Sequence, residues 1–133
     1  MSSRITIDIS PGELIDRLTI LRVKLRNCPT ERLPEIIREF MYLYDIYYAS
    51  YQAAKDLLEK LLEVNNHLWR IEDMLRECEK KEQFDTEFIE HARAVYVLND
   101  RRAGLKNEIN KLFDWPIDEK IYECDTPLQS QPT

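Results

Sequence analysis

The sequence predicts an all-α protein, an antiparallel bundle of three to four helices preceded by a short N-terminal strand, and three observations lead there. Apolar residues recur at alternating steps of three and four along three long stretches, the spacing that gathers them into one stripe of a helix. Only 2 of the 133 residues are glycine and 6 are proline, so the stretches between breaks can hold several helical turns. Hydrophobic residues make up 44% and charged residues 33%, a balance that favours a packed soluble core over disorder.

The period changes first at the N-terminus, where Ile5, Ile7 and Ile9 alternate with Thr6 and Asp8 as in a half-buried strand. One strand needs a partner, and the alternatives are Lys120 to Cys124 or a symmetry mate. The first helix is expected over about Pro11 to Arg26. Ser10 is its N-cap, Pro11 opens it, Glu13 closes a capping box, and Ile9 staples against Leu14. Its seam is Leu14, Leu18, Leu21 and Leu25.

Asn27, Cys28 and Pro29 end that helix, and Thr30 or Leu33 can start the next, with Pro34 tolerated in a first turn. Glu35 to Lys81 then contains neither glycine nor proline. Unbroken, this stretch would be about 70 Å long, so a bend near Ala49 to Tyr51 is expected, with an elongated hairpin as the alternative. Before the bend, Tyr44, Tyr47 and Tyr51 share a face with Ile37 and Phe40, suited to packing or a subunit contact, or else to stacking a base or sugar.

After the bend, Leu57, Leu61, Val64, Leu68, Ile71 and Leu75 form a core seam. A second stripe beside it, Leu58, Leu62, Asn65, Trp69, Glu72 and Arg76, begins apolar and ends polar. The charged segment Glu79 to Gln83 makes a loop. Asp85 caps the last helix, which should reach about Phe113, with Phe84 stapling against Ile89. Its seam of Phe88, His91, Val95, Leu98, Arg102, Leu105, Ile109 and Leu112 holds two residues foreign to a core. His91 can lean to water, whereas Arg102 needs an acid, a carbonyl or a ligand.

The length suits one domain, taken as residues 1–125, with 126–133 as a flexible tail. A net charge of -6 argues against a nucleic-acid polymer or an anionic membrane as partner. Cys28, Cys78 and Cys124 fit free thiols in a reducing compartment, and neither an export signal nor a membrane span is evident, so a cytoplasmic protein is expected. No Gly-rich phosphate loop, zinc-helix motif or nucleophile elbow occurs, and no cofactor is predicted.

Polar strips border the seams of three helices: Glu13, Arg17 and Lys24; Asn65, Glu72 and Arg76; Asn99, Arg102 and Lys106. Converging at the core edge, they would bring five cations against two carboxylates, with Trp69 and Tyr96 as flat surfaces for a ring. The candidate ligand-binding residues are therefore Arg17, Lys24, Asn65, Trp69, Glu72, Arg76, Tyr96, Asn99, Arg102 and Lys106, with no catalytic or metal-ligating residue assigned. Two alternatives stand beside a small anionic, nucleotide-like or phosphosugar ligand. The same groups can form structural salt bridges in an oligomerising module. Acidic pairs, Glu13 with Asp16, Glu72 with Asp73 and Glu87 with Glu90, would suit a metal-dependent nucleotide pyrophosphohydrolase, although Glu72 and Asp73 point about 100° apart.

Three motifs, SPGELIDRLTILRVK (Ser10 to Lys24), NNHLWRIEDMLR (Asn65 to Arg76) and FIEHARAVYVLNDRRAGLKNEIN (Phe88 to Asn110), cover about half the chain. Through them the sequence resembles an uncharacterised family of small helical proteins of bacteria and phages. It is more distantly similar to a second uncharacterised family with ED-x-x-R and LN-x-x-R helices. The resemblance implies no established activity. It does place Glu13, Asp16, Asp73, Arg93, Asp100, Arg101 and Asn110 in the motifs along with most of the candidate site. Arg17 stands where that family is expected to carry lysine, and the tyrosine-rich segment replaces a longer linker. Apart from the resemblance, the small size, the cationic strips and the missing catalytic motifs lead to an expectation of non-catalytic binding, with sequestration of a nucleotide signal in a phage setting, by a homo-oligomer.

Overall fold

The computed structural model describes residues 3–116 as four helices: α1 (Pro11–Asn27), α2 (Leu33–Ser50), α3 (Lys55–Lys80) and α4 (Thr86–Leu112). One-turn 3-10 segments, Thr30–Arg32 and Gln52–Ala54, carry the chain into α2 and α3. The bend expected near Tyr51 is therefore real, and it divides the long run into helices that fit a compact bundle. Lys120 to Cys124 and the tail lie outside the described residues.

No strand forms among the described residues. Residues 3–10 have no regular structure, and Ile5 and Ile7 are largely exposed. Period-two alternation specifies a strand only when a ladder partner satisfies its backbone, and no described residue supplies one.

α1 starts as its sequence requires, with Ser10 Oγ accepting the Glu13 backbone N–H at 3.0 Å and proline at the helix start. The Glu13 carboxylate turns instead to Lys106, whose Nζ donates to Oε2 at 2.8 Å. α1 is the central element and packs on each of the other three helices. That is why Ile15, Asp16, Thr19 and Val23 are buried along with the expected Leu14, Leu18 and Leu21.

Asn110 locks α1 to α4. Its Oδ1 accepts the Gly12 N–H at 2.8 Å, satisfying one of the unpaired donors at the α1 N-terminus. Asp16 meets Arg102, Glu13 meets Lys106 and Gly12 meets Asn110, so α1 and α4 run antiparallel. A short loop makes α3 and α4 antiparallel as well, and the bundle runs up, down, up, down.

The α3 seam holds, with Leu61, Val64, Leu68 and Ile71 buried. The α4 seam drifts. Leu98, Leu105 and Ile109 are buried as expected, but Leu112 is exposed and Lys106 and Asn110 take the inner face. A straight helix of 3.6 residues per turn falls behind a seven-residue repeat by ~20° per heptad, so the packed face passes to later residues.

The α3–α4 hairpin outruns α1, since helices of 26 and 27 residues stand beside one of 17. Met74, Phe84 and Ile89 are exposed toward its tip. Where a staple of Phe84 on Ile89 is expected, both residues are about half exposed, and the Phe84 ring meets Phe88 edge-on at 5.2 Å. His91, expected to lean to water, tucks Nε2 away from solvent 3.6 Å from Glu87. The turn itself is a Schellman closure: Gln83 N–H donates to Cys78 O at 2.9 Å and Glu82 N–H to Glu79 O at 3.1 Å, with Glu82 at φ 52°.

Two substitutions test these backbone constraints by urea denaturation. A Cβ on Gly12 would lie 2.5 Å from Lys106 O and 2.8 Å from Asn110 Oδ1. Gly12→Ala should therefore destabilise by ~2 kcal/mol, overriding the better helix propensity of alanine. Glu82→Gly should stabilise by about 0.5–1 kcal/mol, because the left-handed residue costs ~1–2 kcal/mol and glycine's greater unfolded-state freedom offsets part of that.

Candidate functional site

The polar strips meet around Asp16. Its side chain, 1% exposed, takes a two-pronged contact from Arg102, with Nε to Oδ1 at 2.8 Å and Nη2 to Oδ2 at 2.6 Å. Asn65 Nδ2 donates to Asp16 Oδ1 at 3.1 Å and to Thr19 Oγ1 at 2.8 Å. Thr19 Oγ1 in turn donates to the Asp16 carbonyl at 2.7 Å. Residues from α1, α3 and α4 thus share one network, and a parallel planar fork is the geometry in which arginine best compensates a buried carboxylate. The Arg102 guanidinium is held above its ordinary range first by the Asp16 hydrogen bonds, against the opposing effect of burial, with Asp16, Glu13 and Glu72 adding favourable charge.

This geometry corrects the expected balance of five cations against two acids. Arg102 is paired with Asp16, an acid outside the candidate set, and Lys106 is paired with Glu13. Glu13 and Asp16, an acidic pair considered for a metal, are each engaged by a cation. Among the described residues no three His, Cys, Asp or Glu side chains come together as a metal ion would need.

Beside the network lies a cavity of about 190 Å³ lined by Ile20, Val23, Asn65, Leu68, Trp69, Glu72, Asn99 and Arg102. Five candidate residues, Asn65, Trp69, Glu72, Asn99 and Arg102, are therefore brought together. The space equals about six waters at ~30 Å³ each and is below the ~300 Å³ of ordinary ligand pockets, so it takes one ring rather than a whole ligand. Trp69 also lines a larger depression of about 450 Å³ with Arg26, Asn27, Glu59, Leu62, Glu63, Asn66 and Arg70.

Three further candidates sit one helical turn from lining residues: Lys24 after Ile20, Arg76 after Glu72, and Tyr96 before Asn99. All three are exposed, and because α1 and α3 run parallel while α4 opposes them, they extend toward the same end of the cavity. Arg76 reaches Asp73 at 3.4 Å, an exposed pair that leaves it free to exchange partners. Lys106 lies apart at the Glu13 end of α4. Arg17 is also apart and lines a separate groove of about 860 Å³ between the N-terminal segment, α1 and α2. The residue that sequence reasoning left out of the site was Asp16. Its signal was its place within the first motif, four residues after the Pro-Gly start and between Leu14 and Leu18.

The coupling of this pair is measurable in a double-mutant cycle. Arg102→Ala is expected to cost ~3–5 kcal/mol in urea denaturation, because it strands the Asp16 charge in the core. Arg102→Ala with Asp16→Ala should cost less than the sum of the two single changes, by ~2 kcal/mol. Additive losses would mean that the two side chains do not depend on one another.

No helix in the described residues is long and apolar enough to cross a membrane. Comparison with curated proteins and with solved structures finds no match. The match that does appear runs over residues 5–132, nearly the whole chain, and by it the protein belongs to DUF6165, a family of unknown function.

Proposed function

We propose that this domain binds a small nucleotide-like ligand without transforming it, seating a planar ring in the Trp69 cavity and its anionic part at the exposed rim. One observation carries the proposal: Asn65, Trp69, Glu72, Asn99 and Arg102, drawn from two helices, line a single ring-sized space in which Asn65 and Arg102 are already held by hydrogen bonds. The Asn99 amide offers donors and an acceptor, and Asn65 Oδ1 and the Glu72 carboxylate offer acceptors, suited to the edge of a heterocycle, and an indole offers a stacking face. The cavity itself is not cationic, because the Arg102 charge is shared among Asp16, Glu13 and Glu72. Lys24 and Arg76 therefore take over the anion, since they are exposed cations at one end of the cavity.

In the cell this corresponds to a cytoplasmic bacterial or phage protein that sequesters a nucleotide signal. A purely structural role is the competing proposal, and the Asp16 network favours it to the extent that the network serves register alone.

Thermal unfolding of the full chain against nucleobases, nucleosides, nucleotides and sugar phosphates separates the two. Binding to the native state should raise Tm with ligand concentration. Trp69→Leu and Asn99→Ala are expected to abolish that rise while keeping the unliganded Tm within a few degrees. Arg76→Glu should weaken only the phosphorylated compounds, and absence of any ligand-dependent rise would leave the structural role in its place.

A further inference from the structure

α2 carries two apolar seams. The inner one, Ile36, Phe40, Leu43 and Tyr47, packs against the core. One residue later at every step, Ile37, Met41, Tyr44 and Tyr48 repeat the same four-three-four spacing, about 100° around the helix. These four side chains are exposed, at 43%, 59%, 41% and 59%. Scattered surface apolar residues are ordinary, but a continuous stripe in heptad register is the pattern that docks another helix. α2 packs chiefly on α1, so its outer flank is left open. The stripe is also ordered in advance: the Tyr44 ring centroid lies 5.8 Å from those of Phe40 and Tyr47 and 6.0 Å from that of Tyr48. Side chains already fixed lose less freedom on association.

The charges beside the seam identify what covers it. Arg38 and Asp45 are seven residues apart on the same flank, both are exposed, and neither belongs to the ion pairs formed among the described residues. A second copy laid antiparallel along the seam sets Arg38 of each chain against Asp45 of the other. A parallel copy would face each Asp45 with the Phe40 ring and leave the carboxylate without a counter-charge.

We infer that the chain forms a two-fold symmetric homodimer through the outer seam of α2, with Ile37 against Tyr48, Met41 against Tyr44, and reciprocal Arg38–Asp45 pairs closing one flank. At ~200 Å² for a large side chain, the exposed share of the four seam residues is roughly 400 Å² per copy. With the flanking residues, the pair approaches the ~1,200 Å² at which stable interfaces begin. So short a seam would not hold two isolated peptides, but α2 is already folded against α1 and carries no cost of helix formation.

Sedimentation equilibrium of the full chain over a wide concentration range tests this. The native protein should be a dimer, and Met41→Glu with Tyr48→Glu should be a monomer of unchanged helical circular dichroism. Arg38→Glu should weaken the dimer at least tenfold, and adding Asp45→Arg should restore it, neither change touching the core. A native protein that stays monomeric throughout, a dimer indifferent to the seam substitutions, or a charge-swapped pair that fails to recover would each overturn the inference.

Discussion

A single buried carboxylate constrains this bundle more than any apolar contact does. Desolvating an unpaired charge costs several kcal/mol, whereas sliding one leucine past another costs little once volume is conserved. Asp16 must therefore meet Arg102 and Asn65 at hydrogen-bond distance, and that requirement fixes the relative height of α1, α3 and α4. The Glu13–Lys106 and Gly12–Asn110 contacts repeat the same register one and two turns away on α4. Leucine seams give the helices an affinity for one another, and the polar contacts choose one alignment among those the seams allow.

The candidate site is a consequence of that arrangement. Asn65 and Arg102 spend part of their hydrogen-bonding capacity on Asp16 and Thr19, and both also line the cavity. A wall whose side chains are anchored from behind is preorganised for a ligand, the condition under which few contacts suffice for specificity. The same anchoring removes Arg102 from the pool of free cations. Scaffold and site thus share residues, and a residue's importance to one says nothing by itself about the other.

α2 stands outside this polar framework. Apolar packing on α1 holds it through Ile36, Leu43 and Tyr47, and burial, with Tyr44 and Glu59 nearby, pushes the Tyr47 phenol above its usual range. The five-residue face expected from sequence, Ile37, Phe40, Tyr44, Tyr47 and Tyr51, divides in the fold. Tyr47 goes into the core, Phe40 and Tyr51 go half-way, and Ile37 and Tyr44 remain outside beside Met41 and Tyr48. Tyr51 finds its partner in Phe113, edge-on at 4.9 Å, which ties the α2–α3 bend to the end of α4.

What the sequence by itself determined was local. The Ser10 and Asp85 caps, the break at Cys28, the charged turn after α3 and the seams of α1 and α3 follow from side-chain period and backbone chemistry acting within a few residues, and the break at Tyr51 follows from the length of an unbroken helix against the size of the domain. The meeting of Asn65, Trp69, Glu72, Asn99 and Arg102 was legible for the same reason, because each polar strip borders a seam whose direction was known. Only the tertiary structure decided which acid holds which cation, that Lys106 and Arg17 stand away from the cavity, and that Ile5, Ile7 and Ile9 make no strand with described residues. Those outcomes depend on how far one helix slides along another and on whether a distant partner arrives. Periodicity along one chain carries the angle of each side chain around its own helix, not its height against a neighbour.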